Sequence, residues 1–195
     1  MTEQLIEQTV EVLRQGGTLL YPTDTIWGVG CDARNTAAVE RLYAIKERDR
    51  SKSMLVLCTA DMARHLPANS PASTQSAASA SERPTTYILT KKIWQPLLGD
   101  TIADNLIAAD GSLGIRIPRH AFCQEVIRRL GAPLVSTSAN LSGHPSPMNY
   151  EDIEEELKRR VDFCVPPLPE FRSGETTGSR IIKVNPDGSQ TLLRP

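Results

Sequence analysis

The sequence predicts an α/β domain built on a mixed, twisted sheet with flanking helices. Three observations lead there. Apolar stripes at helical spacing are interspersed with short apolar runs of strand length, but not in strict β-α-β alternation. The last two runs, SRIIKV and QTLLRP, are joined by NPDG, a strong hairpin signal that makes part of the sheet antiparallel. The chain has 195 residues, 39% of them hydrophobic, enough for one well-filled core.

The elements follow in order. Residues 3–15 place Leu5, Ile6, Val10 and Leu13 on one helical stripe, and Gly16-Gly17 closes it. Leu19-Leu20-Tyr21 is a strand that runs at Pro22 into a loop, PTDTIWGVG, carrying Thr23, Asp24, Thr25, Trp27 and two glycines. A helix over residues 36–46 buries Val39, Leu42 and Tyr43 and delivers the chain into the basic run KERDRSKS, ahead of the strand MLVLC. Residues 69–84 are rich in Ser and Ala without a large apolar side chain and read as a mobile loop. TTYILT and SLGIRIP are strands, a helix over 121–130 stops at Gly131, and APLVSTSAN is a buried strand ending in hydroxyls. A helix over 150–160 is acidic early and basic late, as the helix dipole prefers.

The totals exclude several classes. Net charge is −1, so any polyanion site must come from local clustering. No apolar run of spanning length occurs, and the acidic, amphipathic start lacks the pattern of a signal peptide, which predicts a cytoplasmic protein without membrane contact. Cys31, Cys58, Cys123 and Cys164 are scattered without a CxxC pair and read as structural thiols; the three histidines are equally scattered, and no metal site is predicted. No Gly-rich phosphate fingerprint is present, so a nucleotide here must be held another way.

Three segments combine strand ends, small polar residues and glycine: PTDTIWG, STSANLSGHPSP and SGETTGSR. Strand ends with their loops are where α/β proteins form ligand sites, although each segment alone is also ordinary turn chemistry. The charges add weight. Arg116 lies inside an apolar strand, where a guanidinium is costly without an anion or several acceptors, and Arg194 repeats this at the end of the last strand. Ser138 and Asn140, at i and i+2 in an extended segment, point to one side and can donate together. There is no GxSxG elbow for a serine nucleophile.

These residues resemble the YrdC-like family, whose central members are L-threonylcarbamoyladenylate synthases. YPTDTIWG resembles the family's YPTETVYG, and Lys46-Glu47-Arg48 with Ser138-Ala139-Asn140 matches its Lys-x-Arg and Ser-x-Asn signature. SLGIRIP, SANLSGHPSP and TGSRIIKV…TLLRP match further segments in family order, over most of the chain. The resemblance implies a single YrdC/RibB-like domain spanning 1–195, of the short form, folded around a concave, positively charged cavity. It also implies a reaction joining L-threonine, bicarbonate and ATP, with Mg²⁺, into threonylcarbamoyl-AMP and pyrophosphate, for a downstream transferase machinery that modifies adenosine 37 of tRNA. By the same resemblance Thr25, Arg116, Ser136 and Ser179 would hold threonine, and Arg48, Lys52, Ser112, Ser138, Ser146 and Arg194 the ATP. Lys46, Arg48, Ser138 and Asn140 would carry the catalysis, with neither Lys46 nor Arg48 in the core.

The chain departs from the family where a proline becomes Asp49, an asparagine Lys52 and a histidine Leu57, where SERPTTYILT replaces WPGPLT, and where Arg180 takes a small residue's place. Such divergence resembles the YciO-like paralogues. A different class of reading is an RNA-binding protein that uses the same cations on tRNA or double-stranded RNA without chemistry. Near-neutral total charge and the lack of aromatic stacking motifs argue against it.

Overall fold

The computed structural model describes residues 2–62, 83–171 and 177–195. Most of the Ser/Ala-rich segment predicted as a loop, residues 69–82, lies outside them. One mixed sheet runs through the molecule in the order β7-β1-β2-β6-β3-β5-β4-β8-β9. Its strands are β1 (Leu19–Tyr21), β2 (Gly28–Gly30), β3 (Leu55–Leu57), β4 (Thr85–Leu89), β5 (Leu113–Arg116), β6 (Leu134–Ser138), β7 (Phe163–Cys164), β8 (Arg180–Val184) and β9 (Gln190–Arg194). Parallel pairs (β1 with β7, β3 with β5, β4 with β8) are interspersed with antiparallel ones, the expected mixed pattern. The NPDG hairpin joins β8 to β9, with Gly188 in the left-handed region that the turn requires.

Among the described residues five α-helices flank the sheet: α1 (Glu3–Arg14), α2 (Thr36–Ile45), α3 (Lys91–Leu98), α4 (Ala121–Leu130) and α5 (Glu155–Arg160). The apolar stripe of α1 packs with Phe122, Val126 and Ile127 of α4 in one cluster, while α2, α3 and α5 feed Leu42, Trp94 and Leu157 into the other. Gly131 ends α4 with positive φ, as its C-terminal glycine predicts. All four cysteines are free thiols, and burial pushes that of Cys58 up to about 12. Among the described residues no helix is long and apolar enough to cross a membrane.

Two expectations are corrected and one helix is added. Gly28 to Gly30, read as loop, form a central strand; a Cβ on Gly30 would lie 1.9 Å from the Val135 carbonyl, so β2 and β6 meet closer than any side chain permits. The PTDTIW segment is thereby the turn of a β1–β2 hairpin. The helix expected over 150–160 begins only at Glu155, because the Asp152 carboxylate accepts from both the backbone and side-chain N–H of Asn149 and winds the approach into a turn. Helix α3 was not predicted: it is short, contains Pro96, and is held by buried Trp94, whose Nε1 donates to the Gly111 carbonyl at 2.9 Å.

Candidate functional site

Where β1–β2, β6, β3, β5, β4 and the β8–β9 pair present their ends, a cavity of about 460 Å³ opens. Its floor begins at the hairpin turn. Thr25 donates its backbone N–H to Thr23 Oγ1 at 3.1 Å, the two hydroxyls lie 3.0 Å apart, and Thr23 Oγ1 donates to the Ile26 carbonyl at 2.8 Å. Both threonines are buried. Arg116, 3% exposed at the end of β5, donates from Nη1 to Thr25 Oγ1 at 3.0 Å and sits 3.4 Å from the Asp24 carboxylate. Its Nε–H is buried and meets no acceptor, and the side chain is part of the cavity lining.

Ser136, Thr137 and Ser138 bring β6 to the opposite wall, and Trp27 closes one side with Tyr150 set edge-on at 4.9 Å. On the β4–β8 side, Thr86 and Ser179 share a buried hydroxyl hydrogen bond of 2.7 Å. Arg194 donates from Nε and Nη2 to the Ser179 carbonyl at 2.8 and 2.6 Å. Burial first, then the nearby charges of Arg116 and Arg83, lower its affinity for its proton. Ser112 gives its hydroxyl proton to Asp110 at 2.5 Å, a bond that together with Lys183 holds that carboxyl down to about 2. Ser112 Oγ therefore offers lone pairs, suited to an O–H or N–H of a ligand rather than to a phosphate oxygen.

The end of α2 decides what the Lys-x-Arg pair does. Glu47 N–H donates to the Ala44 carbonyl and Arg48 N–H to that of Tyr43, with Glu47 in the left-handed conformation (φ 50°), a Schellman cap without glycine. This reversal sends the two cations apart. Arg48 turns to the cavity wall, donating from Nε to the Lys52 carbonyl at 2.7 Å and from Nη2 to the Ser53 carbonyl at 3.1 Å. Lys46 turns inward, is 1% exposed, and donates from Nζ to the backbone carbonyls of Ser138 and Asn140.

Of the residues the sequence singled out, Thr25, Arg48, Ser112, Arg116, Ser136, Ser138, Ser146, Ser179 and Arg194 all line this one cavity. Three do not. Lys46, expected outside the core and facing the ligand, is core, because the cap buries its stem beneath the turn after β6. Asn140 is buried with both amide protons given to the carbonyls of Leu141 and His144, so it shapes that turn from behind. Lys52 is exposed and is not a lining residue, and only its backbone carbonyl, holding Arg48, takes part. Leu57 is fully buried beside Arg116 in the β3–β5 register. Sequence reasoning missed Thr86, Thr137, Ser51 and Ser53 as lining residues; a hydroxyl pair facing across β4 and β8 has no local signal. Among the described residues no carboxylate lines the cavity.

Comparison with known proteins follows the same lines. The family model Sua5_yciO_yrdC, described as telomere recombination, matches residues 11–195. A curated threonylcarbamoyl-AMP synthase of Stenotrophomonas maltophilia (strain K279a) is 32% identical over 183 residues, 91% of this chain and 90% of that protein. Among solved structures, P. abyssi Sua5 complexed with L-threonine matches with a TM-score of 0.79 at 22% identity, over 100% of this chain and 55% of that one. E. coli YciO matches with a TM-score of 0.70 at 24% identity, over 99% and 89% respectively.

Proposed function

This chain belongs to the Sua5/YciO/YrdC family, and from that membership we propose that its cavity makes threonylcarbamoyl-AMP from L-threonine, bicarbonate and ATP. The observation that carries the reading is the lining itself. Three guanidiniums and a wall of hydroxyls converge, with no carboxylate among the described lining residues, on a space that suits several anions at once. Relatives of about the same length named threonylcarbamoyl-AMP synthase support it, as does a protein of the same fold solved with L-threonine.

Arg116 takes the threonine carboxylate, through the donors that Thr25 and Asp24 leave it. Thr25, Ser136 and the Thr86–Ser179 pair face the amine and side chain. The threonine nitrogen attacks the bicarbonate carbon, a C–N bond forms, and hydroxide departs as water with a proton from the amine. A carbamate oxygen then attacks the α-phosphorus of ATP, and the bond to pyrophosphate breaks with its electron pair on the leaving group, which makes the enzyme a nucleotidyltransferase. Each step brings anions together, so positioning and neutralisation by Arg48, Arg194 and the Mg²⁺ that arrives with ATP outweigh any dedicated base. Ser138 and Ser146 face phosphate oxygens, while Ser112, its proton engaged by Asp110, faces the ribose or the base. Trp27 shields the carbamate, which water would otherwise hydrolyse. The product feeds a cytoplasmic transferase that acts on tRNA.

Pyrophosphate release measured with ATP·Mg tests this. Release that requires threonine and bicarbonate together is expected, and folded protein without threonine-dependent turnover would overturn the reading. We infer as a second reading the binding of tRNA or double-stranded RNA, from the exposed side chain of Lys52. It predicts RNA binding that weakens steeply with salt and ignores ATP.

A further inference from the structure

Arg83 holds a further guanidinium against Gly178, a residue of the cavity lining, and no residue role above uses it. It precedes β4, in the stretch where the chain departs from the family's WPGPLT. Its Nη2 donates to Thr177 Oγ1 at 2.8 Å and to the Gly178 carbonyl at 3.4 Å. Arg194 is fastened to the next peptide along, through the Ser179 carbonyl. Its guanidinium lies so close over Gly178 that a Cβ there would stand 2.9 Å from Nη2. Two guanidiniums are thus clipped to consecutive carbonyls of one short segment.

The cations form a graded file. Arg116 is buried in the cavity lining, while Arg194 and Arg83 are exposed. Arg116 and Arg83 each lie within electrostatic reach of Arg194, whose proton affinity is depressed by burial first and then by these two charges. Holding like charges this close is unfavourable unless an anion of high charge density lies between them. The carbonyl bonds also leave N–H groups on both forks. In a reaction that ends with a polyanionic leaving group, the fragment that departs belongs toward the mouth, beyond the α-phosphorus.

We propose that Arg83 and Arg194 together seat the pyrophosphate half of ATP, with Arg83 a binding residue for the β- and γ-phosphates. This rests on the ATP-dependent reading given above. The experiment compares wild type, Arg83→Ala and Arg83→Lys for KM of ATP, KM of L-threonine and inhibition by magnesium pyrophosphate. Arg83→Ala is expected to raise the ATP KM and the pyrophosphate inhibition constant about tenfold, the size of one lost charge-assisted contact. The threonine KM should not move, and Arg83→Lys should recover part of the loss. An active Arg83→Ala enzyme with unchanged pyrophosphate inhibition overturns the proposal alone. So does an equal loss toward threonine that lysine fails to rescue, since that is a structural effect through Thr177 and Gly178. Wild type that neither turns over ATP with threonine nor binds pyrophosphate overturns the functional reading, and this proposal with it.

Discussion

Lys46 carries two opposing demands. Burial disfavours its ammonium and lowers its pKa from 10.5 to about 7, with the Arg48 charge adding to the shift, while two backbone carbonyls favour the charged donor. The sign of the pH effect follows. Below pH 7 both folded and unfolded chains carry the proton and the folded state bears the burial penalty. Between about 7 and 10.5 the unfolded chain holds the proton that the folded chain has lost, so stability rises with pH through that window. Urea unfolding of wild type and Lys46→Met at pH 6.5 and 9.5 should show a gain in wild type, up to about 3 kcal/mol, that the variant lacks. At neutral pH the variant should be less stable by about 1–3 kcal/mol, because the Ser138 and Asn140 carbonyls lose their donor. Arg48 behaves differently. Arg48→Ala should leave the unfolding midpoint nearly unchanged and lower turnover about a hundredfold, seen as ATP-dependent pyrophosphate release. Arg116→Leu should raise the threonine KM far more than the ATP KM, since its donors face the floor of the cavity; equal effects on both would contradict the assignment.

At the scale of elements, the β1–β2 hairpin sets the cavity floor. Gly30 permits its contact with β6, and Gly30→Ala should cost about 3 kcal/mol or more, because the added carbon would meet backbone at 1.9 Å rather than a yielding side chain. Thermal unfolding of the variant checks this. The turn's hydroxyl chemistry was legible in Thr23, Asp24 and Thr25, since small polar residues between an apolar strand and glycines mark a tight turn. The strand that follows was not, because Gly28 and Gly30 read as loop residues when the close partner strand lies more than a hundred positions away. The cap of α2 was equally hidden: Glu47 adopts a conformation that glycine usually takes, so no residue marks the reversal that separates Lys46 from Arg48.

At the scale of the molecule, the cavity is closed by segments from residue 23 to residue 194, drawn together by the nine-strand sheet. A ligand bridging them should stabilise the whole assembly. With either ATP·Mg or threonine at a hundredfold above its dissociation constant, the gain is about 2.7 kcal/mol, or a rise in melting temperature of roughly 5–10 °C for a chain this long. Differential scanning fluorimetry measures it, and a melting temperature indifferent to both ligands would speak against a cavity that binds them.

The sequence by itself determined the mixed α/β class, the closing hairpin, and the loops in which hydroxyls, glycine and arginine gather, because period and turn chemistry are local properties. Only the tertiary structure decided which cations face the ligand. Whether a side chain enters the cavity or the core depends on how its element is capped and what packs against it, and those partners lie far away along the chain.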